Sequence, residues 1–171
     1  MSEALRARLG QGGAGGPALA AREAQLVIGI IHHPKLFGRF ESEILELTIH
    51  DKDLSELLSR TIDALVNEPD LDSGKLRHQL SGWPEAEATY QRWSADPLVK
   101  VIRFTKQNAD DKDAEAGWHD AFLIDRQHKI LSAEVTEAGA EAHKDPGREK
   151  IWLDSVRMSL SAHQDNEASR D

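Results

Sequence analysis

The chain has 171 residues, of which 39% are hydrophobic, 30% are charged and none is cysteine. This length fits one domain or one domain with an appendage, and the lack of cysteine excludes disulfide scaffolds, zinc ribbons and thiol enzymes. No apolar run approaches the roughly 18 residues of a membrane span. The net charge of −9 argues against broad binding to a phosphate backbone, which needs clustered lysine and arginine.

The N-terminal residues 1–17 are predicted to be a flexible linker. They end in the segment GQGGAGGP, which contains five glycines. A phosphate-binding loop needs a preceding strand and a Gly-Lys-Ser/Thr end, and the segment has neither. A tether so near the start leads us to expect either that the chain is the end of a longer protein or that it carries a vestigial arm.

Apolar residues at helical spacing predict an all-α fold. We expect a bundle of about six helices in residues 18–107, an antiparallel helical hairpin in residues 108–165 and a disordered tail in residues 166–171. The predicted helices cover residues 18–33, 35–47, 52–67, 73–80, 85–94, 98–105, 113–143 and 146–163. Prolines fit the first turn of several of them, and aspartates precede two as caps. No segment shows the alternation that is typical of a strand.

The predicted hairpin contains more large apolar side chains than a single seam between two helices holds. We therefore expect Trp118, Phe122, Trp152 and Leu153 to remain exposed as anchors for a partner protein. The alternative, that they form the seam or dock on the bundle, stays open. With a polar rim, the candidate partner-binding residues are Trp118, Phe122, Arg126, Lys129, Arg148, Lys150, Trp152, Leu153, Val156 and Arg157.

Histidines and carboxylates are the residues to examine for chemistry. The adjacent His32 and His33 point about 100° apart on a helix and cannot chelate one ion together. The other histidines lack HxxxH or HExxH spacing, so we interpret the eight as solvated or capping residues. The cluster of Asp110, Asp111 and Asp113 is interpreted as a solvated link that favours the positive start of the next helix. No catalytic, cofactor-binding or metal-binding residue is predicted.

The stretch from Arg22 to Leu65 resembles the start of the C-terminal domain of bacterial DnaG-type DNA primases. Those domains open with a basic-acidic pair, here Arg22-Glu23, and an apolar helix. A His-Pro-x-Leu step follows, here HPKL at residues 33–36. An acidic-apolar helix comes next, here residues 41–47, and then a leucine-rich helix that begins just after Asp51.

The resemblance implies a non-catalytic module of a larger enzyme. In that family the domain binds the N-terminal domains of the hexameric replicative helicase and recruits primase to the replication fork, in the bacterial cytoplasm. Some members also bind the acidic tail of the single-stranded-DNA-binding protein. The parent primase makes primers with zinc and magnesium held in other domains, and the glycine-rich segment would be the interdomain tether. No cofactor, no membrane and little direct binding to nucleic acid are expected for this chain.

Two alternatives remain open at this point. One is the N-terminal domain of the replicative helicase itself, which has a similar bundle and similar first helices. The other is a free-standing helical enzyme that holds a divalent metal with Asp110, Asp111 and Asp113. The chain has no set of zinc ligands and no catalytic acidic motif, so it is not expected to make primers alone.

Overall fold

The computed structural model describes residues 16–142, 154 and 156–158. All regular elements within these residues are helical, which confirms the predicted all-α fold. The helices are α1 (Pro17–His32), α2 (Lys35–Arg39), α3 (Glu41–Leu45), α4 (Lys52–Asn67), α5 (Ser73–Leu80), α6 (Pro84–Ser94), α7 (Pro97–Lys100), a 3₁₀ turn (Arg103–Thr105) and α8 (Asp111–Ala142). The predicted tail, most of the predicted linker and most of the second arm of the hairpin lie outside the described residues.

Helix α1 lies at the centre of the core. It begins with Pro17 in its first turn and ends at His32, because the proline that follows at position 34 disfavours helical backbone in His33. Its sequence is apolar around most of its circumference, which is typical of a fully buried helix. The buried residues of α1 are Ala21, Glu23, Ala24, Leu26, Val27, Ile28, Gly29, Ile30 and Ile31.

Aspartate caps fix the start of three surrounding helices. The side chains of Asp51, Asp72 and Asp96 accept hydrogen bonds from backbone N–H groups in the first turns of α4, α5 and α7, at 3.0, 2.8 and 2.8 Å respectively. Each cap satisfies a donor that the helix itself leaves unpaired. The apolar side of α4 then packs against α1 through Leu54, Leu57 and other buried side chains.

Two predicted helices are shorter than expected. The helix predicted over residues 35–47 divides at Phe40, whose backbone is not helical (φ −127°, ψ 37°) and whose ring stacks on Trp118. The helix predicted over residues 98–105 is interrupted at Ile102, which is extended (ψ 129°). There the Thr105 hydroxyl donates to the Val99 carbonyl at 2.7 Å, which closes the turn. The first break coincides with a tertiary contact and the second with a local side-chain hydrogen bond.

The chain divides into two compact units, Met1–Asp125 and Arg126–Asp171. This boundary differs from the expected one between residues 107 and 108, because the first part of α8 belongs to the core of the first unit. Ala114, Trp118, Phe122 and Asp125 are all buried there. Among the described helices none is both long and apolar enough to cross a bilayer.

Candidate functional site

Trp118 and Phe122 are core residues, and the expectation that they are exposed anchors is wrong. Trp118 is 0% exposed and Phe122 is 4% exposed. The indole Nε1 of Trp118 donates to the Leu26 carbonyl at 3.1 Å, and its ring stacks on Phe122 with centroids 5.6 Å apart. The start of α8 docks on α1, so its large aromatic side chains are covered within the first unit.

Two glycines permit this close docking. A methyl group at Gly29 would lie 3.0 Å from the Phe104 ring and 3.1 Å from Trp118, and one at Gly117 would lie 3.0 Å from Phe104. The three contacts are tighter than ordinary packing allows. The missing side chains therefore let the rings of Phe104 and Trp118 approach the backbone of α1 and α8.

The acidic start of α8 is ion-paired. Lys35 bonds to Asp111 at 2.8 Å, and Arg103 reaches Asp113 at 2.7 Å. The hydrogen bond and charge of Asp111 raise the pKa of Lys35, and the same contact lowers the pKa of Asp111. Across the described residues no group of three potential ligands is placed to hold a metal ion. Asp111 and Asp113 lie in the first turn of α8 rather than in a link before it, and Asp110 directly precedes the helix.

The adjacent histidines bind consecutive backbone carbonyls. His32 donates from Nδ1 to the Thr105 carbonyl, and His33 bonds through Nε2 to the Lys106 carbonyl at 2.9 Å. With Nδ1 protonated, the neutral His32 accepts at Nε2 from the Tyr90 hydroxyl at 2.7 Å. Burial lowers the pKa of His32 below its ordinary value, and the nearby His33 and Arg77 lower it further. The interpretation of all histidines as solvated or capping residues misses this role.

A cavity of about 410 Å³ lies beside His32. Its lining is mixed, with apolar side chains from α1 and α7 and polar side chains from the segment that follows the 3₁₀ turn. The lining residues are Ile28, His32, Ser94, Val99, Lys100, Thr105, Lys106, Gln107 and Asn108. Lys100 and Lys106 are exposed, and neither forms an ion pair with a described residue.

Glu23 is a buried carboxylate that fixes the loop before α4. Its two oxygens accept from the backbone N–H of His50 at 3.0 Å, from His50 Nδ1 at 2.8 Å and from the Asp51 N–H at 3.3 Å. These three donors tie the Glu23 side chain of α1 to the loop that precedes α4. The sequence places this residue in the Arg22-Glu23 pair, but spacing alone gives no sign that its partner is a loop 27 residues away.

The second unit exposes apolar side chains on α8. Ile130, Leu131 and Val135 are 50%, 43% and 45% exposed, and we call these three residues the distal patch. Leu131 and Val135 are four residues apart and so lie on one face of the helix. None of the three is among the predicted partner-binding residues, although Leu131 and Val135 follow the helical spacing of apolar residues in the long predicted helix. For Ile130 the sequence signal is its position next to Leu131.

Four of the other predicted partner-binding residues lie within the part of the chain that the structure describes. Arg126 and Arg157 are exposed, and Lys129 and Val156 are half-buried. Lys129 and Arg157 each have an interaction within the protein. The remaining candidates lie outside the described residues: Arg148, Lys150, Trp152 and Leu153.

Comparison with protein-family models, with curated proteins and with solved structures finds no significant match for the chain.

Proposed function

We propose that this chain is the helicase-interaction domain of a bacterial primase, which recruits its parent enzyme to the replicative helicase at the fork. The order of elements supports this proposal: an apolar helix that ends at a His-Pro step, an acidic-apolar helix and a capped leucine-rich helix follow one another as in the primase domains that the sequence resembles. The chain then acts by binding, and primer synthesis belongs to the other domains of the parent.

The observation that carries the proposal is the exposure of the distal patch. Ile130, Leu131 and Val135 leave large apolar surfaces in water on one helix. Covering such surface is favourable by about 25 cal/mol per Å², and apolar anchors with a polar rim are typical of protein interfaces. Arg126 is exposed in the same unit and supplies a charged group for that rim. The N-terminal domain of the helicase is the proposed partner.

The test is calorimetric titration of the chain with the cognate hexameric helicase. We expect the double substitution Leu131→Ala and Val135→Ala to weaken binding by about tenfold or more, because truncated anchors cost on the order of 1–2 kcal/mol. Val66 provides the matched control, since it is a valine of α4 that is also exposed. Val66→Ala should leave the affinity unchanged. No binding by the unmodified chain, or equal losses in the two variants, would contradict the proposal.

We also propose that the cavity beside His32 binds the acidic tail of the single-stranded-DNA-binding protein. Its two lysines, Lys100 and Lys106, offer positive charge in a chain of net charge −9, and the cavity adds apolar surface from Val99. A synthetic tail peptide should lose affinity when both lysines are changed to alanine. Lys52→Ala, at an exposed lysine of α4, is the control. Equal affinity in all three proteins would exclude this site.

A further inference from the structure

The charges around the distal patch follow a fixed order along α8. Arg126 precedes the apolar residues Ile130 and Leu131. Glu134 and Glu137 come after them. All three charged side chains are exposed. The surface of this part of the helix therefore passes from a positive end, through an apolar centre, to a negative end.

Arg126 and Glu137 lie on the same side of the helix but cannot meet within one chain. They are eleven residues apart, and at 3.6 residues per turn this spacing returns to within about 20° of the same direction. The rise of about 1.5 Å per residue separates them by about 16 Å along the axis. Neither residue belongs to an ion pair with another described residue. Ile130 lies between them on this side, four residues after Arg126.

This arrangement is complementary to itself when two copies of the helix run antiparallel. The midpoint between Arg126 and Glu137 falls beside Leu131, within the apolar centre. A two-fold axis at that point brings Arg126 of each copy to Glu137 of the other, while Ile130 and Leu131 meet the same residues of the second copy. Such an interface, in which one patch faces itself, is the usual form of a symmetric dimer.

Two further observations favour the antiparallel direction. Gln127 and Glu134 have nearly the same midpoint as the outer pair, so the amide of one copy can donate to the carboxylate of the other. In a parallel pair each charged residue would instead face its own counterpart, and neighbouring like charges are destabilising.

We propose that a second copy of this chain covers the distal patch, in an antiparallel dimer formed by residues 126–137 of α8. Ile130 and Leu131 supply its apolar centre, and the ion pair between Arg126 and Glu137 closes it at both ends. The contact extends over about three helical turns and is smaller than the roughly 1,600 Å² of a standard interface, so the dimer is weak. It uses the same side chains as helicase binding, and the two contacts therefore exclude each other.

Sedimentation velocity of the full chain over a range of concentrations tests the dimer. We expect a shift from monomer to dimer as the concentration rises. Arg126→Glu and Glu137→Arg, each alone, place like charges at both ends of the contact and should weaken self-association by about fivefold or more at low salt. The two changes combined reverse the ion pair and should restore the dimer.

The recovery identifies a contact between copies, because the two residues are too far apart to pair within one helix. Lys52→Glu is the control, since it makes the same change of charge at an exposed lysine of α4 and should leave self-association unchanged. All substituted positions are exposed, so the circular dichroism spectra should agree.

Three results would overturn the dimer. A chain that is monomeric at every concentration would assign the patch to a different occupant, and growth beyond two copies would contradict a closed two-fold contact. Failure of the combined variant to recover would contradict the antiparallel pairing of Arg126 with Glu137. No helicase is present in these measurements, so the dimer and the proposed helicase binding can fail independently.

Discussion

Both halves of α8 carry large apolar side chains, but the aromatic residues of the first half are buried and the aliphatic residues of the second half are exposed. Before Asp125, the aromatic residues Trp118 and Phe122 lie in the core of the first unit, while Leu123 and Ile124 on the outer side of the helix are 46% and 51% exposed. After Arg126, Ile130, Leu131 and Val135 are close to half exposed. The largest aromatic residues, which are typical hot spots of interfaces, are here the ones that hold the fold together. The type of a residue therefore does not show whether its side chain binds a partner protein or packs in the core of its own chain.

The difference follows from what each half of the helix meets. The first half lies against α1 and the 3₁₀ turn, where Gly29, Gly117 and Phe104 form a close contact. Trp118 fits there because its indole N–H finds the Leu26 carbonyl, so no buried donor is left unpaired. An aliphatic side chain such as Leu131 has no polar group that needs a partner. Single apolar residues of this kind are common on protein surfaces.

Substituting one residue in each half gives the largest expected effect. Trp118→Ala removes a fully buried ring and should lower the free energy of unfolding by about 3–5 kcal/mol. Leu131→Ala should change it by less than about 0.5 kcal/mol, as exposed substitutions usually do. Urea unfolding followed by circular dichroism measures both. Similar losses in the two variants would mean that the halves of α8 do not differ in burial.

A methyl group at the close contact should have the next largest effect. Gly29→Ala places a Cβ atom 3.0 Å from Phe104 and 3.1 Å from Trp118, and overpacking of this kind costs about 1–3 kcal/mol. Gly38→Ala is the control, because a Cβ there meets nothing within 4 Å. Alanine favours helix over glycine by about 0.5–1 kcal/mol, so Gly38→Ala should be neutral or stabilising. A stabilising Gly29→Ala would contradict the close contact.

Sequence periodicity predicts most of the helices, because their signals are local. The bounds of α4 and α5 agree with the prediction, since an aspartate cap starts each one and an apolar stripe marks its length. Proline in the first turn likewise marks α6 and α7. The long helix is predicted too, although its observed start at Asp111 lies slightly earlier.

The parts that sequence does not predict depend on contacts between distant residues. At the break, the Phe40 ring stacks on Trp118, which lies far along the chain. The roles of Glu23 and of the two histidines depend on backbone groups 27 to 73 residues away. The burial of Trp118 and Phe122 on α8 likewise depends on contacts with residues that are distant in sequence. A helical pattern shows that a face is apolar, but it does not show which element covers that face.

The pH dependence of stability tests the contribution of His32, which lies in the first unit. Because burial holds the pKa of His32 below its ordinary value of 6.5, the unfolded chain binds a proton more readily than the folded one. The contribution of His32 to stability is thus fully present above about pH 6.5 and decreases as the pH falls through that value. Urea unfolding at a series of pH values should show a flatter profile for His32→Asn than for His78→Asn. An unchanged profile in His32→Asn would assign the acid sensitivity to other groups.

The exposed ion pair at the start of α8 should have the smallest effect. Lys35 and Asp111 form a short contact, but their side chains are 81% and 58% exposed, and such pairs contribute little because water and salt screen them. Lys35→Met should therefore lower the melting temperature slightly at low salt. At about 1 M salt, where the Debye length is about 3 Å, it should leave the melting temperature unchanged. Lys52→Met, at an exposed lysine with no ion pair to a described residue, is the control. A large loss that persists at high salt would mean that the ion pair, rather than Trp118, holds the first half of α8 on the core.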